Sequence, residues 1–226
     1  MSTYYEITLT QEQLLAANLH LGSTPHVWNP YSAKFLAGRR DYNYIIDLTY
    51  TTLLLQRAFF FLSRIYELYG FTAFINQNAF IRTPIHRALT SSMKHFYFPA
   101  RWQPGLLTNF KELIRNYQDD EIPSYHFACI KQLPKALFLA QTAPNYWIIN
   151  EARRVNIPLI ILVETEFSPN LATFPIPCNN NSPELTKLFA NLYGAAVANG
   201  ICSRRDELDV IEIIAKASRG LTINPV

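Results

Sequence analysis

The chain has 226 residues, of which 49% are hydrophobic and 16% charged, and its formal net charge is +3. This composition is typical of a folded globular protein and excludes a disordered chain, and the length suits one large domain or two small ones. The three cysteines, Cys129, Cys178 and Cys202, form no C-x-x-C pair, which favours a reducing compartment over a disulfide or zinc framework.

The start of the chain lacks the basic residues and apolar run of a signal peptide, so we expect no secretion signal. The most apolar stretch, residues 50–69, is interrupted by Arg57, Arg64 and Glu67. Because a bilayer span of about 20 residues tolerates such charges poorly, this stretch predicts a buried helix.

The first half of the chain predicts alternating helices and strands. A helix over 11–18 is followed by a loop, a strand in "YNYIIDL" and a long helix that Thr49 caps and Gly70 ends. "FTAFIN" (71–76) and "HFYF" (95–98) are predicted strands with a helix over 84–93 between them. Pro104 is predicted to begin a third helix after these strands.

The second half continues the alternation. "KALFLA" (135–140), a helix over 145–155 and "IPLIILVE" (157–164) form a βαβ unit with buried parallel strands. "PIPCNNNSPE" predicts a tight loop in which Ser182 caps a helix to about residue 198, and a separate charged helix covers 204–215. Five apolar strands alternating with helices predict one doubly wound parallel α/β domain, whose ligands would bind beyond the carboxyl ends of the strands.

Charge is distributed unevenly along the chain. Residues 13–40 and 68–115 hold nine Lys or Arg against one acid, Glu112. From residue 116 onward nine Lys or Arg face eleven Asp or Glu. Such an asymmetry is typical of a one-sided contact with a polyanion, although an unevenly solvated surface would also produce it.

The strand ends offer weak signals for an enzyme. The sequence contains no glycine-rich phosphate-binding loop. The hydroxyl groups of "IIDLTYTT" could bind a flavin, or they could serve only to cap the helix that follows. Asp47, Glu164 and Glu166 could form an acid–base set or a magnesium site, or could cap helices. A small-molecule-binding enzyme and a protein-only scaffold therefore stay as alternatives.

Four motifs together resemble one family. "LLAANLHLGSTPHVWNPYSAKFLAGRRDYNYIIDL" is similar to "LL-AG-HFGH-T-WNPKM--FI-G-RN--HIIDL", the opening signature of the universal small-subunit ribosomal protein S2 family. "RWQPGLLTNFKELI" resembles that family's "RWLGGMLTNWKTV". "LPKALFLAQTAPNYWIINEARRVNIPLIILVETEFSPN" and "FPIPCNNNSPELTKLFANLYGAAV" resemble its "LPDALFVID---E--AI-EA-KL-IPVIAIVDTN-DP" and "YPIPGNDDAIRSI-L". The motifs occur in family order over most of residues 12–200.

The resemblance implies a single flavodoxin-like domain that binds small-subunit ribosomal RNA and neighbouring small-subunit proteins in translation. It implies no catalysis, cofactor, metal, membrane or small-molecule substrate. It divides the chain into residues 1–41 as an N-terminal helix and RNA-docking loop, 42–200 as the α/β domain, and 201–226 as a C-terminal helical extension. Abundant Phe, Tyr, Ile and Asn favour a mitochondrial member located in the matrix, ahead of a bacterial cytoplasmic or plastid stromal one.

The candidate RNA contacts carried over by motif lie in two segments, the opening loop (residues 19–41) and the second motif (residues 101–114). Lys and Arg can neutralise phosphates, Asn and Thr can reach phosphate or ribose oxygens, and Trp28 can either stack on a base or fill a gap in its loop. Trp102 and His20 are expected to be structural. The candidates are His26, Trp28, Asn29, Lys34, Arg39 and Arg40 in the opening loop, and Arg101, Thr108, Asn109 and Lys111 in the second motif, with Arg82, Arg87 and Arg115 added from the basic regions.

The chain departs from the family pattern in three places. Ser23 replaces the second histidine of the signature, and "NPYS" replaces "NPKM" with the loss of one cation. Residues 117–133 stand where bacterial members have a long helical hairpin, so we expect that hairpin to be absent. The extension after Ile201 matches nothing in the family and is expected to dock a ribosomal neighbour.

Overall fold

The computed structural model describes residues 11–76, 95–98, 102, 104–116, 132–140, 146–179 and 183–218. Helices α1 to α5 cover Gln11–Ala16, Leu48–Glu67, Phe110–Asn116, Tyr146–Val155 and Pro183–Ser218. Strands β1 to β7 cover Leu36–Arg40, Asn43–Ile46, Thr72–Ile75, His95–Phe98, Ala136–Leu139, Leu159–Val163 and Phe174–Pro177. Two short 3-10 helices cover Pro30–Phe35 and Pro169–Leu171.

A five-stranded parallel sheet organises the domain. Its order is β4-β3-β5-β6-β7, which is 2-1-3-4-5 when its strands are counted along the chain, the flavodoxin-like order. All residues of β3, β5 and β6 are buried, as expected of apolar strands covered on both faces. The predicted flavodoxin-like α/β class is confirmed.

Two strand assignments made from the sequence were wrong. The strand in "YNYIIDL" does not join the parallel sheet, because Asn43–Ile46 pairs antiparallel with Leu36–Arg40 in a separate two-stranded ribbon. The fifth parallel strand is Phe174–Pro177, which the sequence predicts as a loop. Its two prolines suit an edge position, where a missing backbone N–H interrupts no ladder on the outer side.

Helix ends also differ from the sequence prediction. Asp47, rather than Thr49, caps α2, since its side chain accepts a hydrogen bond of 2.9 Å from the Thr49 N–H. The third helix begins at Phe110 and follows a run of turns from Pro104. Asp47 has the better geometry because an Ncap side chain bonds the N–H two or three residues ahead.

Helix α5 runs without a break through the predicted gap between two helices. Gly200 does not end the helix; it lies where α5 crosses α2. A Cβ at this position would lie 2.3 Å from the Ser63 carbonyl oxygen and 2.8 Å from the Tyr66 Cβ. Glycine therefore permits a close helix contact here, and the helix continues past residue 201.

A buried hydroxyl cluster joins α2, β3 and α5. The Tyr66 hydroxyl lies 2.9 Å from the Thr72 Oγ1 and 3.4 Å from the Tyr193 hydroxyl, and it accepts a hydrogen bond of 3.2 Å from the Thr72 N–H. Burial raises the pKa of both tyrosines, that of Tyr193 strongly. The Phe74 and Phe138 rings, whose centroids are 5.0 Å apart, stack beside Tyr193.

Helix α2 is the long apolar helix that the sequence predicts to be buried, and its Leu55, Ala58 and Leu62 belong to the core. No helix within the described ranges combines the length and apolar character needed to cross a bilayer.

Candidate nucleic-acid interface

The opening loop is fixed to the segment that follows β6. The Asn29 N–H donates a hydrogen bond of 2.7 Å to the Thr165 carbonyl oxygen. The Ser23 N–H donates one of 2.8 Å to the Thr165 Oγ1, and the Ser32 hydroxyl donates one of 3.1 Å to the Phe167 carbonyl oxygen. These contacts span more than 130 residues of sequence, so the loop is held by the tertiary fold.

The opening loop also contacts the end of β7 and the β1–β2 hairpin. The Asn179 N–H donates a hydrogen bond of 3.1 Å to the Leu19 carbonyl oxygen, and the Gly22 N–H donates one of 2.8 Å to the Tyr44 carbonyl oxygen. A Cβ on Gly22 would lie 2.9 Å from the Thr165 Cγ2, so only glycine fits this approach. The loop thus covers the carboxyl ends of β6 and β7.

The three strand-end carboxylates lie in different environments. Asp47 is occupied as the cap of α2, Glu164 is buried, and Glu166 is exposed. Burial, with a smaller contribution from Glu164, holds the pKa of the Cys178 thiol well above its usual value, so Cys178 is a neutral core residue. Among the described residues no group of three or more His, Cys, Asp or Glu could hold a metal ion.

The opening loop presents polar and basic groups to solvent. His26 and Lys34 are exposed, and the Lys34 ammonium lies 4.9 Å from the centre of the Phe35 ring. Trp28 is half-buried, with its ring centroid 4.9 Å from that of Tyr44. Asn29 uses its side-chain oxygen to accept a hydrogen bond of 3.0 Å from the Tyr31 N–H, which caps the 3-10 helix.

The hairpin of β1 and β2 displays the two adjacent arginines. Arg39 and Arg40 are exposed and pair across the ribbon with Tyr44 and Asn43. Because successive strand residues point to opposite faces, the two guanidinium groups lie on opposite faces of the ribbon. Arg39 shares its face with Tyr44 and so lies on the side that also carries Trp28.

The second motif is held in place by a buried carboxylate that sequence reasoning missed. Glu151 in α4 accepts hydrogen bonds from the Trp102 indole N–H at 3.3 Å, the Gly105 N–H at 2.6 Å and the Leu107 N–H at 3.0 Å. Glu151 is only 7% exposed, and Trp102 is buried beside it, in agreement with the structural role expected for that indole. The signal in the sequence was an acid at an inward position of an otherwise amphipathic helix.

The polar residues of the second motif lie on the outer side of this anchored turn. Thr108 and Asn109 are exposed, and the Asn109 N–H bonds the Gly105 carbonyl oxygen at 2.8 Å. Lys111 and Arg115 are exposed four residues apart on α3, which places both cations on one helix face. Three further candidates, Arg82, Arg87 and Arg101, lie outside the described residues.

The comparisons with known proteins identify the same family as the motifs. The family model described as Ribosomal protein S2 matches residues 14–127 and 124–200. The two matches meet in the stretch where the chain is expected to lack the helical hairpin.

Curated relatives come from bacteria and from a mitochondrion. The small ribosomal subunit protein uS2m of Schizosaccharomyces pombe is 30% identical over 193 residues, covering 79% of this chain and 71% of the relative. The uS2 of Bartonella quintana is 27% identical over 230 residues, covering 89% of each. The uS2 of Ureaplasma urealyticum serovar 10 is 28% identical and matches 82% of this chain, which spans 62% of that relative's length. With both the matched residues and the fold in agreement, the chain belongs to the ribosomal protein S2 family.

Proposed function

We propose that this protein is a structural constituent of the small ribosomal subunit in translation, binding small-subunit ribosomal RNA and neighbouring ribosomal proteins. The family membership supports this role, since the relatives are small ribosomal subunit proteins by name. In this proposal residues 1–41 dock RNA, 42–200 form the supporting domain, and 201–226 contact a protein neighbour.

The observation that carries the proposal is a fixed loop with exposed cations. Lys34, Arg39 and Arg40 are exposed, whereas the loop that precedes them is bonded to Thr165 through the Asn29 N–H and to Phe167 through the Ser32 hydroxyl. A preorganised loop loses little conformational entropy on binding, so its cations can neutralise phosphates at low cost. His26, Trp28 and Asn29 would add contacts to riboses or bases.

A second basic surface supports the same role. Lys111 and Arg115 share a face of α3, and Thr108 and Asn109 lie on the turn before it. Arg82, Arg87 and Arg101 complete the proposed set of RNA contacts.

The role is proposed to be non-catalytic, without a cofactor or small-molecule substrate. The opening loop lies over the carboxyl ends of β6 and β7, and Asp47, one of the candidate catalytic carboxylates, is bonded as the cap of α2. This arrangement favours the RNA-binding proposal over an enzyme.

We place the protein in the mitochondrial ribosome. A mitochondrial relative and an aromatic-, Ile- and Asn-rich composition support this location, while bacterial relatives are compatible with other ribosomes. Fractionation of cells tests it: the protein should copurify with mitochondria, and recovery in another compartment would contradict the assignment.

Sedimentation of the native protein from a mitochondrial lysate, with and without ribonuclease, tests the function. We expect the protein to travel with the small subunit and to shift to lighter fractions after RNA digestion. A protein that stays near the top of the gradient without ribonuclease would contradict the ribosomal role.

Paired arginine variants test the opening loop. Arg39→Ala with Arg40→Ala should reduce incorporation into small subunits several-fold, because two phosphate contacts are lost. Arg57→Ala with Arg64→Ala is the matched control, since it removes the same charge from exposed positions of α2. Equal incorporation of both double variants would contradict RNA docking by the hairpin.

A further inference from the structure

Helix α4 exposes an aromatic and basic face, and its two aromatic residues, Tyr146 and Trp147, lie at positions that the family motif leaves unspecified. Trp147 is 67% exposed and Tyr146 is 49% exposed, although the helix buries Ile148, Ile149 and Ala152 in the core. Asn150, Arg153 and Arg154 are also exposed. A tryptophan left in water on a helix that otherwise buries its apolar residues points to a binding role.

The exposed face of α4 carries no negative charge. The helix has one carboxylate, Glu151, which is turned inward and compensated by three N–H groups of the second motif. Outward-facing residues are therefore aromatic, amide or cationic. This combination suits a single-stranded nucleic acid, in which bases stack on aromatics and phosphates meet arginines.

The exposed face of α4 lies between the two predicted RNA-binding segments, the opening loop and the second motif. At about 100° per residue, Trp147 and Arg154 fall within about 20° of each other and about 40° to 60° from Glu151, on the side of the second motif. Tyr146 and Arg153 fall on the other side of the exposed face.

That other side of α4 contacts the segment that holds the opening loop. The Tyr146 ring centroid lies 6.1 Å from that of Phe167, and the Arg153 Nη2 donates a hydrogen bond of 2.7 Å to the Asn170 carbonyl oxygen. The Phe167 carbonyl oxygen in turn accepts the Ser32 hydroxyl of the opening loop. Helix α4 thus contacts the second motif through Glu151 and reaches the opening loop through Phe167.

We propose that the exposed face of α4 is a further RNA-binding site, in which Trp147 stacks on an unpaired base and Arg154 neutralises a phosphate. The inference rests on the proposed RNA-binding function and extends it to a surface between the opening loop and the second motif. Arg153 is a weaker contributor because its guanidinium already bonds Asn170. Asn150, one helical turn after Trp147, is placed to bond a ribose or base edge.

Fluorescence anisotropy with the full chain tests the site. The probe is a fluorescein-labelled 12-nucleotide single-stranded RNA of mixed adenine and uracil, with a duplex of the same sequence as comparison. Trp147→Ala should weaken binding of the single strand about tenfold, within the range for loss of one base–aromatic stack. Trp147→Phe should retain most of the affinity, because a phenyl ring still stacks.

Arg154→Ala provides an independent measure. It should lower the magnitude of the salt dependence, d log K/d log[salt], by about 0.7, the value for one phosphate contact on a single strand. Phe60→Ala is the matched control, since Phe60 is 63% exposed on α2 and should leave both readouts unchanged. Circular dichroism of each variant verifies the fold.

The outcomes separate this inference from the proposed function. If Trp147→Ala and Arg154→Ala bind the single strand like the unmodified chain while Arg39→Ala with Arg40→Ala binds weakly, the α4 site is wrong and the proposed function stands. If all these variants bind RNA as well as the unmodified chain does, the α4 site and RNA docking by Arg39 and Arg40 are both wrong. If Trp147→Ala lowers subunit incorporation but not RNA affinity, the face contacts a protein and the inference is overturned.

Discussion

Glu151 shows how one buried charge can position a binding segment. Its carboxylate is buried and accepts hydrogen bonds from the N–H groups of Trp102, Gly105 and Leu107. A buried carboxylate is stable only when such donors replace water. The turn before α3 therefore owes its position to a residue 44 to 49 positions away in sequence.

Glu151→Gln should destabilise the protein by about 1.5–3 kcal/mol. The new amide NH2 would face an N–H group that now donates a hydrogen bond to the carboxylate, so that one bond would be lost. Urea unfolding measures this loss. Glu112→Gln on the exposed side of α3 serves as the control and should change stability by less than about 0.5 kcal/mol. Equal stability of the two variants would show that the three bonds contribute little.

The buried tyrosines predict a loss of stability at alkaline pH. The pKa of Tyr66 and Tyr193 is raised above the ordinary 10.0 in the folded state, so the unfolded chain releases these protons first. The stability that the two buried, neutral tyrosines contribute is fully present below about pH 10.0 and is lost as the pH rises from there toward their pKa in the folded state.

Unfolding free energies measured from pH 8 to 11.5 check this dependence. Tyr66→Phe should fall less steeply above pH 10 than the unmodified chain, whereas Tyr42→Phe, at a position 79% exposed, should follow the unmodified chain. The buried Cys178 thiol also contributes to the pH dependence of stability, but from a lower pH, because the ordinary pKa of a cysteine is 9.0. This contribution is the same in every variant. Three identical profiles would contradict the assignment to buried tyrosine.

At the scale of elements, the start of α2 depends on one capping residue. Asp47→Ala should cost about 1 kcal/mol, since the Thr49 N–H loses its acceptor at the helix end. Thr49→Ala should cost much less because Thr49 is exposed and supplies only that N–H to the cap. Thermal unfolding of both variants distinguishes them, and a larger loss for Thr49→Ala would restore the cap that the sequence predicts.

The crossing of α2 and α5 depends on Gly200. Gly200→Ala should destabilise the protein by about 1–3 kcal/mol, because the added methyl group would overlap the Ser63 carbonyl oxygen. The higher helix propensity of alanine, worth about 1 kcal/mol, offsets only part of the cost of this overlap. Gly38→Ala is the comparison, since a Cβ there meets nothing within 4 Å. Urea midpoints measure both changes, and an unchanged midpoint for Gly200→Ala would contradict the close contact.

For the whole molecule, the proposed RNA contacts predict a strong dependence of affinity on salt. Four to six phosphate contacts should give a slope of log K against log[salt] of roughly −3 to −5. Titration of small-subunit ribosomal RNA between about 50 and 200 mM salt measures it. A slope near zero would show that the exposed cations do not bind phosphates.

Regular apolar patterns made much of the fold predictable from the sequence. The strands 72–75, 136–139 and 159–163 are continuous apolar runs that lie fully buried, and the strand predicted over 95–98 pairs with the first of them. The prediction failed where the pattern was ambiguous. Phe174–Pro177 has two prolines and reads as a loop, and only its edge position allows it to pair as a strand.

Side-chain spacing likewise revealed some of the candidate site and not the rest. The basic residues of the opening loop are visible because residues 13–40 hold three cations and no acid. Glu151 and Trp147 were missed, since only its inward position in α4 marks Glu151 and nothing local marks Trp147. Their roles depend on what lies across the fold from each of them.

The sequence by itself determined the family, the α/β class and the segments rich in cations, because motifs and hydrophobic periodicity are local properties. Tertiary structure decided which strand completes the sheet, which carboxylate anchors the second motif and what covers the strand ends. These features depend on contacts between residues far apart in the chain, such as Asn29 with Thr165 and Gly105 with Glu151. Local sequence preferences do not encode such pairings, and only the packed sheet and helices bring the partners together.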